Sequence, residues 1–302
     1  MLYIGLDMHK KTSTIAVRDE SGNVIETATV PSSIVFEYIS GHHDKCVVCT
    51  DAYPGARPIL RRLERKGVKV IVLGHVPGRV SGTRKKTDIT DALLYSEIAW
   101  RGRASRAWIP PEAIEKLREY TRQREMYARL MAMARGAARQ HRLAGHDEVA
   151  RMLDEDVKYF KERTRMIESR IREHLTEHGL MPVVERLMEI PGIGYVSAAA
   201  ILAEVGDIRR FESGDRLVSY AGLAPSTYQS GERRRHGKTG IGRLKRIMYL
   251  CAMAHVRARG KFYGFYSRLR KRGKAMSVAL IAVARKLMLV VFNVLNGDRY
   301  RP

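Results

Sequence analysis

The stretch "YIGLDMHK" (residues 3–10) decides the fold of the N-terminal region, because its apolar residues end on an acid, as at the end of a buried strand. Four further strand signals and three amphipathic helical signals alternate with it up to about residue 103. The strand signals are "TSTIAVRD", "VIETATV", "KCVVCTD" and "VKVIVLG". Thr87 is a plausible N-cap for the third helix, "DITDALLYSEIAWRGR". The order β-β-β-α-β-α-β-α predicts a mixed sheet flanked by helices.

Four carboxylates fall at the ends of these predicted elements. Asp7 and Asp51 close the first and fourth strands, and Asp88 and Asp91 open the third helix on one face. Each acid alone has a structural explanation, such as a strand-end turn or a favourable interaction with the helix dipole. Strand ends and a helix start can also converge on one crevice, where clustered carboxylates would bind Mg²⁺ or Mn²⁺. Two such ions would assist a phosphoryl transfer.

The rest of the chain is mostly helical. Glycine is sparse and charge is dense between about residues 111 and 179, where two long helical patterns flank the break "AGHD" (144–147). We predict a helical hairpin with partial coiled-coil character, which either spaces and self-associates or packs on its own domain. The sequence therefore predicts three parts, at 1–105, 106–180 and 181–302.

The charge of the chain points to a polyanionic partner. The 302 residues hold 55 Lys and Arg against 32 Asp and Glu, a net charge of +23. Nucleic acid is the first candidate and an anionic membrane the second. The longest apolar run, "AMSVALIAVARKLMLVVFNVL", is interrupted by Arg285 and Lys286, which favours a buried helix over a membrane span.

The cysteines indicate no disulfide framework. Three cysteines are typical of a protein of the reducing cytoplasm. Cys46 and Cys49 lie three residues apart on a predicted strand, where they would point to opposite faces. We interpret them as buried apolar residues rather than as a metal or redox pair.

Positive charge is concentrated between Glu232 and Lys274, where fifteen Lys and Arg accompany one acid. This density predicts a phosphate-tracking surface with salt-dependent binding. The stretch "STYQSGERRRHGKTG" (226–240) adds glycines, which let the backbone approach a phosphate, and a triple arginine, which can hold its oxygens. The basic residues predicted to bind nucleic acid are Lys85, Lys86, Arg233, Arg234, Arg235, Lys238, Arg243, Lys245 and Arg246.

Two other C-terminal patterns allow two interpretations each. "LMEIPGIGYVSAAAILAEVG" (187–206) is similar to a helix-hairpin-helix, whose glycine turn either meets a phosphate or packs inside the domain. The aromatic residues of "KFYGFYSRLRKR" (261–272) either stack on bases or belong to the core. A serine in the basic loop either hydrogen-bonds a phosphate or, with a base or metal to take its proton, attacks one.

The stretches "YIGLDMHK", "TDAYPG" and "RKKTDITDALLYSEI" resemble the DEDD transposases of the one-ten family of bacterial insertion sequences, which are related to site-specific DNA invertases. The segment from "YAGLAP" through the basic loop resembles the C-terminal domain of the same family. The resemblance implies a RuvC-like N-terminal domain of the ribonuclease-H fold and a mostly α-helical C-terminal transposase domain. It places the acids on Asp7, Asp51, Asp88 and Asp91; the family usually has Glu where this chain has Asp51.

The resemblance also implies a function. Family members use a serine before a glycine in the C-terminal domain, which matches Ser230, with Ser226 as second choice. The chain would cut and rejoin donor and target DNA as a homo-oligomer, a dimer or tetramer, in a bacterial or archaeal cytoplasm. A structured noncoding RNA would guide it. Two alternatives are a RuvC-like nuclease or junction resolvase in which water attacks, and a nucleic-acid-binding protein without activity.

Overall fold

The structure, a computed structural model, describes residues 1–42, 45–51, 53–74, 87–102, 107–224, 227–230, 233–236 and 242–300. It divides into two compact units, Met1–Ile109 and Pro110–Pro302. Within the described residues, the N-terminal unit has five strands and three α-helices in the predicted order. They are β1 Leu2–Met8, β2 Thr12–Arg18, β3 Val24–Pro31, α1 Val35–His42, β4 Cys46–Thr50, α2 Arg57–Arg65, β5 Lys69–Val72 and α3 Asp88–Arg101.

The five strands form one mixed sheet with the order β3-β2-β1-β4-β5. The first three strands are an antiparallel meander, and β4 runs parallel to both β1 and β5. Strand β1 is therefore central, and its C-terminal end lies beside the C-terminal end of β4. The mixed α/β class predicted from the sequence is confirmed.

Each face of the sheet has its own apolar core, because alternate residues of a strand point to opposite faces. On one face, Ile4, Val48 and Leu60 belong to a cluster that also contains Cys46. On the other face, Cys49 packs in a cluster with residues of α3. The two cysteines do diverge, and burial raises the pKa of the Cys46 thiol to about 11 and that of Cys49 to about 12.

The C-terminal unit is mostly helical, as predicted. Its described residues form eight α-helices and a two-stranded hairpin. They are α4 Glu112–Leu143, α5 Asp147–Glu177, α6 Met181–Met188, α7 Tyr195–Val205, α8 Gly214–Tyr220, β6 Thr227–Ser230, β7 Arg233–His236, α9 Gly242–Arg257, α10 Tyr263–Lys271 and α11 Met276–Leu295.

Helices α4 and α5 form the predicted hairpin, with its turn at residues 144–146. The hairpin lies in the same compact unit as the helices that follow it, since α4 packs on α7 and α5 contacts α6. Leu117, Ile171 and Leu175 are buried there, and the Arg118 guanidinium donates to the Ala203 carbonyl oxygen at 3.0 Å. Further along the hairpin, several methionines are exposed.

Helix α11 is the one described helix whose length and composition would allow a membrane span, with a mean hydropathy of 2.2. One of its faces is buried throughout its length, against α8 and α9 among other elements. That face consists of Ala279, Leu280, Val283, Ala284, Leu287, Met288, Val291 and Val294. The helix therefore supplies a large part of the core of its unit, as the sequence predicted.

Candidate functional site

Helix α3 lies directly on β1, and this contact positions the predicted acids. A Cβ atom added to Gly5 would lie 1.9 Å from the Ala92 carbonyl oxygen and 2.4 Å from the Ser96 nitrogen. Only a glycine allows this approach of strand and helix. Because Asp7 lies two residues beyond Gly5, it points to the same face of the sheet, towards the first turn of α3.

The beginning of α3 is fixed by a capping box. The Thr87 side chain accepts from the Thr90 backbone N–H at 3.3 Å, and the Thr90 side chain accepts from the Thr87 N–H at 3.2 Å. Thr87 is the N-cap that the sequence predicts. Asp88 and Asp91 consequently occupy the first turn, where the helix dipole favours negative charge.

The structure brings the four predicted acids of the N-terminal unit together. Asp7 and Asp91 are buried, Asp51 is half-buried and Asp88 is exposed. Burial raises the pKa of the Asp7 carboxyl above its ordinary value, and the negative charges of the other three carboxylates raise it further. The Asp51 carboxylate also accepts from the Tyr53 backbone N–H at 3.3 Å, which holds it at the end of β4.

His9 is a member of this site that the sequence analysis missed. Its Nε2 lies 3.4 Å from Asp7 Oδ2 and 3.4 Å from Asp88 Oδ1. It acts against the other neighbours of Asp7, because its positive charge lowers the pKa of that carboxyl. The signal in the sequence is spacing, since His9 directly follows β1 and lies two residues beyond Asp7, the interval at which residues of an extended chain share a face.

The donor set of this cluster suits a divalent cation. One ligand atom each of Asp7, His9 and Asp88 lie within 4.8 Å of one another. Carboxylate oxygens select hard ions such as Mg²⁺ and Mn²⁺, and an imidazole is compatible with Mn²⁺. A cation would relieve the repulsion among the carboxylates, which adds to burial in raising the pKa of Asp7. The residues present therefore fit the metal that the sequence predicts.

The stretch that contains Ser230 includes a β-hairpin, β6 and β7, that the sequence analysis did not predict. Strands β6 and β7 are antiparallel, and Ser230 pairs with Arg233, Gln229 with Arg234 and Tyr228 with Arg235. The nucleophile candidate Ser230 is thus the last residue of β6, opposite the first residue of the triple arginine. Four other predicted site residues lie outside the described residues: Lys85, Lys86, Ser226 and Lys238.

Two of the predicted phosphate-binding arginines have a protein partner instead. Arg243 and Arg246, on the first turns of α9, both pair with the Glu125 carboxylate of α4. Arg243 Nε also lies 3.6 Å from the buried carboxylate of Glu204. Lys245, between them in sequence, is exposed. The structure therefore leaves Lys245 open to solvent and engages both neighbouring arginines in ion pairs.

The helix-hairpin-helix turn packs inside its unit. Gly192 has φ +93°, and a Cβ atom there would lie 2.5 Å from the His255 nitrogen on α9. His255 Nδ1 lies 2.6 Å from the Pro191 carbonyl oxygen, which joins the turn to α9. Of the two interpretations of these glycines, internal packing applies to Gly192, whereas Gly194, before α7, is exposed.

Phe262 and Phe265 are half-buried rather than core, whereas Tyr263, at the start of α10, is exposed. The ammonium of Lys286, on α11, lies 4.8 Å from the centre of the Phe265 ring and 5.7 Å from that of Phe262. Tyr266 is half-buried too. The rings of Phe262 and Phe265 therefore contact α11 through the Lys286 side chain.

Two family models match this chain. The DEDD transposase model of the IS110 family matches residues 4–143, which include all four acids. The model of the transposase IS116/IS110/IS902 family matches residues 184–267, which include the serine hairpin and α9. Together they cover most of both units.

Curated proteins similar to this chain include proteins of insertion elements and a gene-inverting protein. An uncharacterized 43.6 kDa protein of insertion element IS110 from Streptomyces coelicolor is 39% identical over 46% of this chain, and the match covers 34% of that relative. The pilin gene-inverting protein of Moraxella bovis is 28% identical over 74% of this chain and 70% of its own. The transposase for insertion sequence element IS1328 from Yersinia enterocolitica is 24% identical over 84% of this chain and 83% of its own. The chain thus spans about a third of the first relative and most of the other two. Because the two models match residues 4–143 and 184–267, and the first match includes the acid cluster, the chain belongs to the IS110 family of DEDD transposases.

Proposed function

We propose that this chain is a DNA recombinase that cuts and rejoins DNA with a metal-binding acid cluster and a serine nucleophile. The observation that carries the proposal is the convergence of Asp7, Asp51, Asp88 and Asp91 at one end of the sheet. Burial and the other three carboxylates together raise the pKa of Asp7 there. The strand order, with β2 alone antiparallel to its neighbours, supports a RuvC-like domain. Membership of a transposase family supports the reaction class.

Each acid has a distinct position in the proposed site. Asp7, at the buried base, and Asp91 would hold Mg²⁺ or Mn²⁺ from the protein side, while the exposed Asp88 faces the side from which a substrate enters. When bound, the metal would polarise the scissile phosphate and stabilise the charge that develops on it. His9 would occupy the rim between Asp7 and Asp88, and Asp51 would contribute from the adjoining strand.

The proposed covalent step conserves a phosphoester bond. The Oγ atom of Ser230 forms a bond to the scissile phosphorus, while the bond from phosphorus to one deoxyribose oxygen breaks. The serine proton leaves to a base, and the departing deoxyribose oxygen gains a proton. Rejoining reverses this step with the hydroxyl of another strand, so no external energy source is required. The acids and the serine would act on one phosphate, within one chain or between protomers.

The basic residues would hold the phosphates around this step. Arg233, Arg234 and Arg235 follow the serine on the partner strand of the hairpin, and a guanidinium can bind two phosphate oxygens at once. Lys238, Lys245, Lys85 and Lys86 would extend the surface along the nucleic-acid backbone. Such contacts position a duplex without reading its sequence, so target choice requires a second component.

We further propose that a structured noncoding RNA supplies that choice by pairing with donor and target DNA, and that the protein acts as a dimer or tetramer in the cytoplasm of a bacterium or archaeon. The net charge of +23 is sufficient to hold two polyanions. The helical hairpin of α4 and α5 supports self-association, because apolar side chains are exposed along it, including Met133, Leu143, Met152 and Met166.

The test of the proposal is to capture the covalent intermediate. Purified protein is incubated with donor and target DNA, Mg²⁺ and the RNA that co-purifies with it, and the products are run on a denaturing gel. We expect an adduct between protein and DNA with wild-type protein, none with Ser230→Ala, and an adduct with the matched control Ser226→Ala. Free cut ends without an adduct would favour the nuclease, and binding without cleavage would favour the inactive binder.

A further inference from the structure

A second cluster of metal-ligating side chains lies in the C-terminal unit, at the end of α5. His174, Glu177 and His178 are spaced i, i+3 and i+4, which places them on one face of the helix. One ligand atom of each lies within 4.8 Å of the others. The two imidazole rings have centroids 4.2 Å apart. His174 is buried at the base of the group, while Glu177 and His178 are exposed.

The hydrogen bonds of the two histidines leave one ring nitrogen of each available as a ligand. His174 Nε2 lies 2.7 Å from the Ala113 carbonyl oxygen, and His178 Nδ1 lies 3.0 Å from the His174 carbonyl oxygen. A carbonyl oxygen only accepts, so both of these nitrogens carry the proton and donate it. In a neutral imidazole the opposite nitrogen then holds a lone pair. Backbone carbonyls orient metal-binding histidines in this way.

The unmet hydrogen-bonding capacity of His174 is the independent sign of a ligand. His174 Nδ1 is fully buried, and among the described residues it has no hydrogen-bond partner. Leaving such a buried polar atom unsatisfied is unfavourable, and few buried polar groups in native proteins remain so. A metal ion bound to the lone pair of Nδ1 would satisfy it.

We propose that His174, Glu177 and His178 form a Zn²⁺ site. Two imidazole nitrogens and one carboxylate oxygen match the ligands that Zn²⁺ takes, whereas Mg²⁺ prefers oxygen ligands alone. Three protein ligands leave one position of a tetrahedral zinc for water. The site also lies at the C-terminal end of α5, where the helix dipole favours a cation.

The proposed zinc would stabilise the contact between the start of α4 and the end of α5 in the helical hairpin. His174 joins α5 to the start of α4 through the Ala113 carbonyl oxygen, and its ring packs edge-on against Tyr120 of α4, with centroids 5.7 Å apart. Fixing the His174 ring would therefore fix the start of α4 against the end of α5. The role is structural, so it does not depend on the acid cluster or on the serine.

Direct metal binding tests the proposal. Full-length protein is stripped with EDTA, dialysed and titrated with Zn²⁺ by calorimetry, and with Co²⁺ by visible absorption as a probe of tetrahedral coordination. The titrations are repeated on Asp7→Asn/Asp88→Asn, because the acid cluster could also bind zinc. We expect one Zn²⁺ to bind this double variant, and its affinity to fall at least tenfold when His178→Ala or Glu177→Gln is added. Both changes are at exposed positions, so the variants should fold.

His146→Ala is the matched control. His141 and His146 are a second histidine pair in the same hairpin, with ring centroids 5.7 Å apart near its turn, and this variant should bind Zn²⁺ as the double variant does. At a Zn²⁺ concentration 100 times the Kd of the intact site, we expect the Tm of the zinc-binding proteins to rise by about 5–10 °C and that of His178→Ala to rise by about half as much or less. Equal Zn²⁺ affinity with and without His178→Ala, or the absence of any binding, would overturn the proposal.

Discussion

The two units treat buried acids in opposite ways. In the N-terminal unit, Asp7 lies among three other carboxylates, with His9 Nε2 at 3.4 Å, and burial together with the neighbouring carboxylates raises its pKa. In the C-terminal unit, buried Glu204 is surrounded by arginines. The Arg122 guanidinium donates to both of its carboxylate oxygens, at 3.0 and 3.1 Å. Arg118 and Arg243 each approach to 3.6 Å.

The two buried carboxylates differ in whether side chains of the chain itself balance their charge. The charge of Glu204 is balanced by side chains of the chain itself, so the group is complete and holds α4, α7 and α9 together. The carboxylates around Asp7 repel one another, and that repulsion is useful only if a cation binds there. We therefore expect a structural role for the buried carboxylate of Glu204 and a metal-binding role for that of Asp7, and substitutions in the two places should have different effects.

The largest expected effect is on activity, through Asp7→Asn. The substitution keeps the shape of the side chain and removes one anionic metal ligand, so we expect the rate of strand cleavage to fall about 10³-fold, or several kcal/mol of transition-state stabilisation. Single-turnover cleavage in excess Mg²⁺ measures it. Glu97→Gln, on the same helix as Asp88 but paired with Arg101 at 2.8 Å, is the control and should retain activity. A fully active Asp7→Asn would remove the acid cluster from the mechanism.

The next effect is on stability, through Glu204→Gln. Three arginines would lose the buried carboxylate that they share, which costs about 3–5 kcal/mol. For a unit of this size we expect Tm to fall by about 10 °C or more in thermal unfolding followed by circular dichroism. The comparison is Glu212→Gln, which removes an exposed acid 3.5 Å from Arg216 and should change Tm little. A small loss with Glu204→Gln would mean that the arginines are hydrated after the change.

Asp7→Asn should have the opposite effect on the stability of metal-free protein. Because the folded-state pKa of Asp7 is raised, the folded state binds more protons than the unfolded state, and stability falls as pH rises from about 3.8 through that folded pKa. At neutral pH in EDTA, the variant should be more stable by about 1 kcal/mol, and the difference should vanish at low pH. Denaturant unfolding at several pH values measures this. A less stable variant at neutral pH would contradict the view of the cluster as a repulsive site.

The sequence predicted the elements of the N-terminal unit and their convergence because these depend on local signals. Strand alternation, the Thr87 cap and the spacing of Asp88 and Asp91 each involve a few neighbouring residues. His9 was missed because its sequence signal is only its two-residue spacing from Asp7, just beyond the end of β1. The β6–β7 hairpin was missed because "RRRH" has no alternation of polar and apolar residues.

Long-range pairing could not be predicted from the sequence. The partner of Arg243 is 118 residues away, on another helix, and no local pattern indicates it. Gly192 shows the same limit, because the sequence allows both a phosphate turn and a packed turn. The choice depends on α9, which approaches Gly192 from about sixty residues further along the chain. Such contacts are set by tertiary packing rather than by local propensity.

The smallest expected effect concerns these paired arginines and nucleic-acid affinity. Glu125 holds Arg243 and Arg246 at the rim of a pocket of about 120 Å³, which Ser197 of α7 also lines. Glu125→Gln would release Arg246, since Arg243 retains the Glu204 carboxylate nearby. One further phosphate contact should raise affinity for double-stranded DNA a few-fold and steepen the slope of log K against log salt by about 0.9. Fluorescence anisotropy across salt concentrations measures both. Glu173→Gln, which frees the exposed Arg170 of α5, removes the same charge elsewhere, so it should not change the slope if the surface of α9 binds the DNA. Equal changes in both variants would show that net charge alone is responsible.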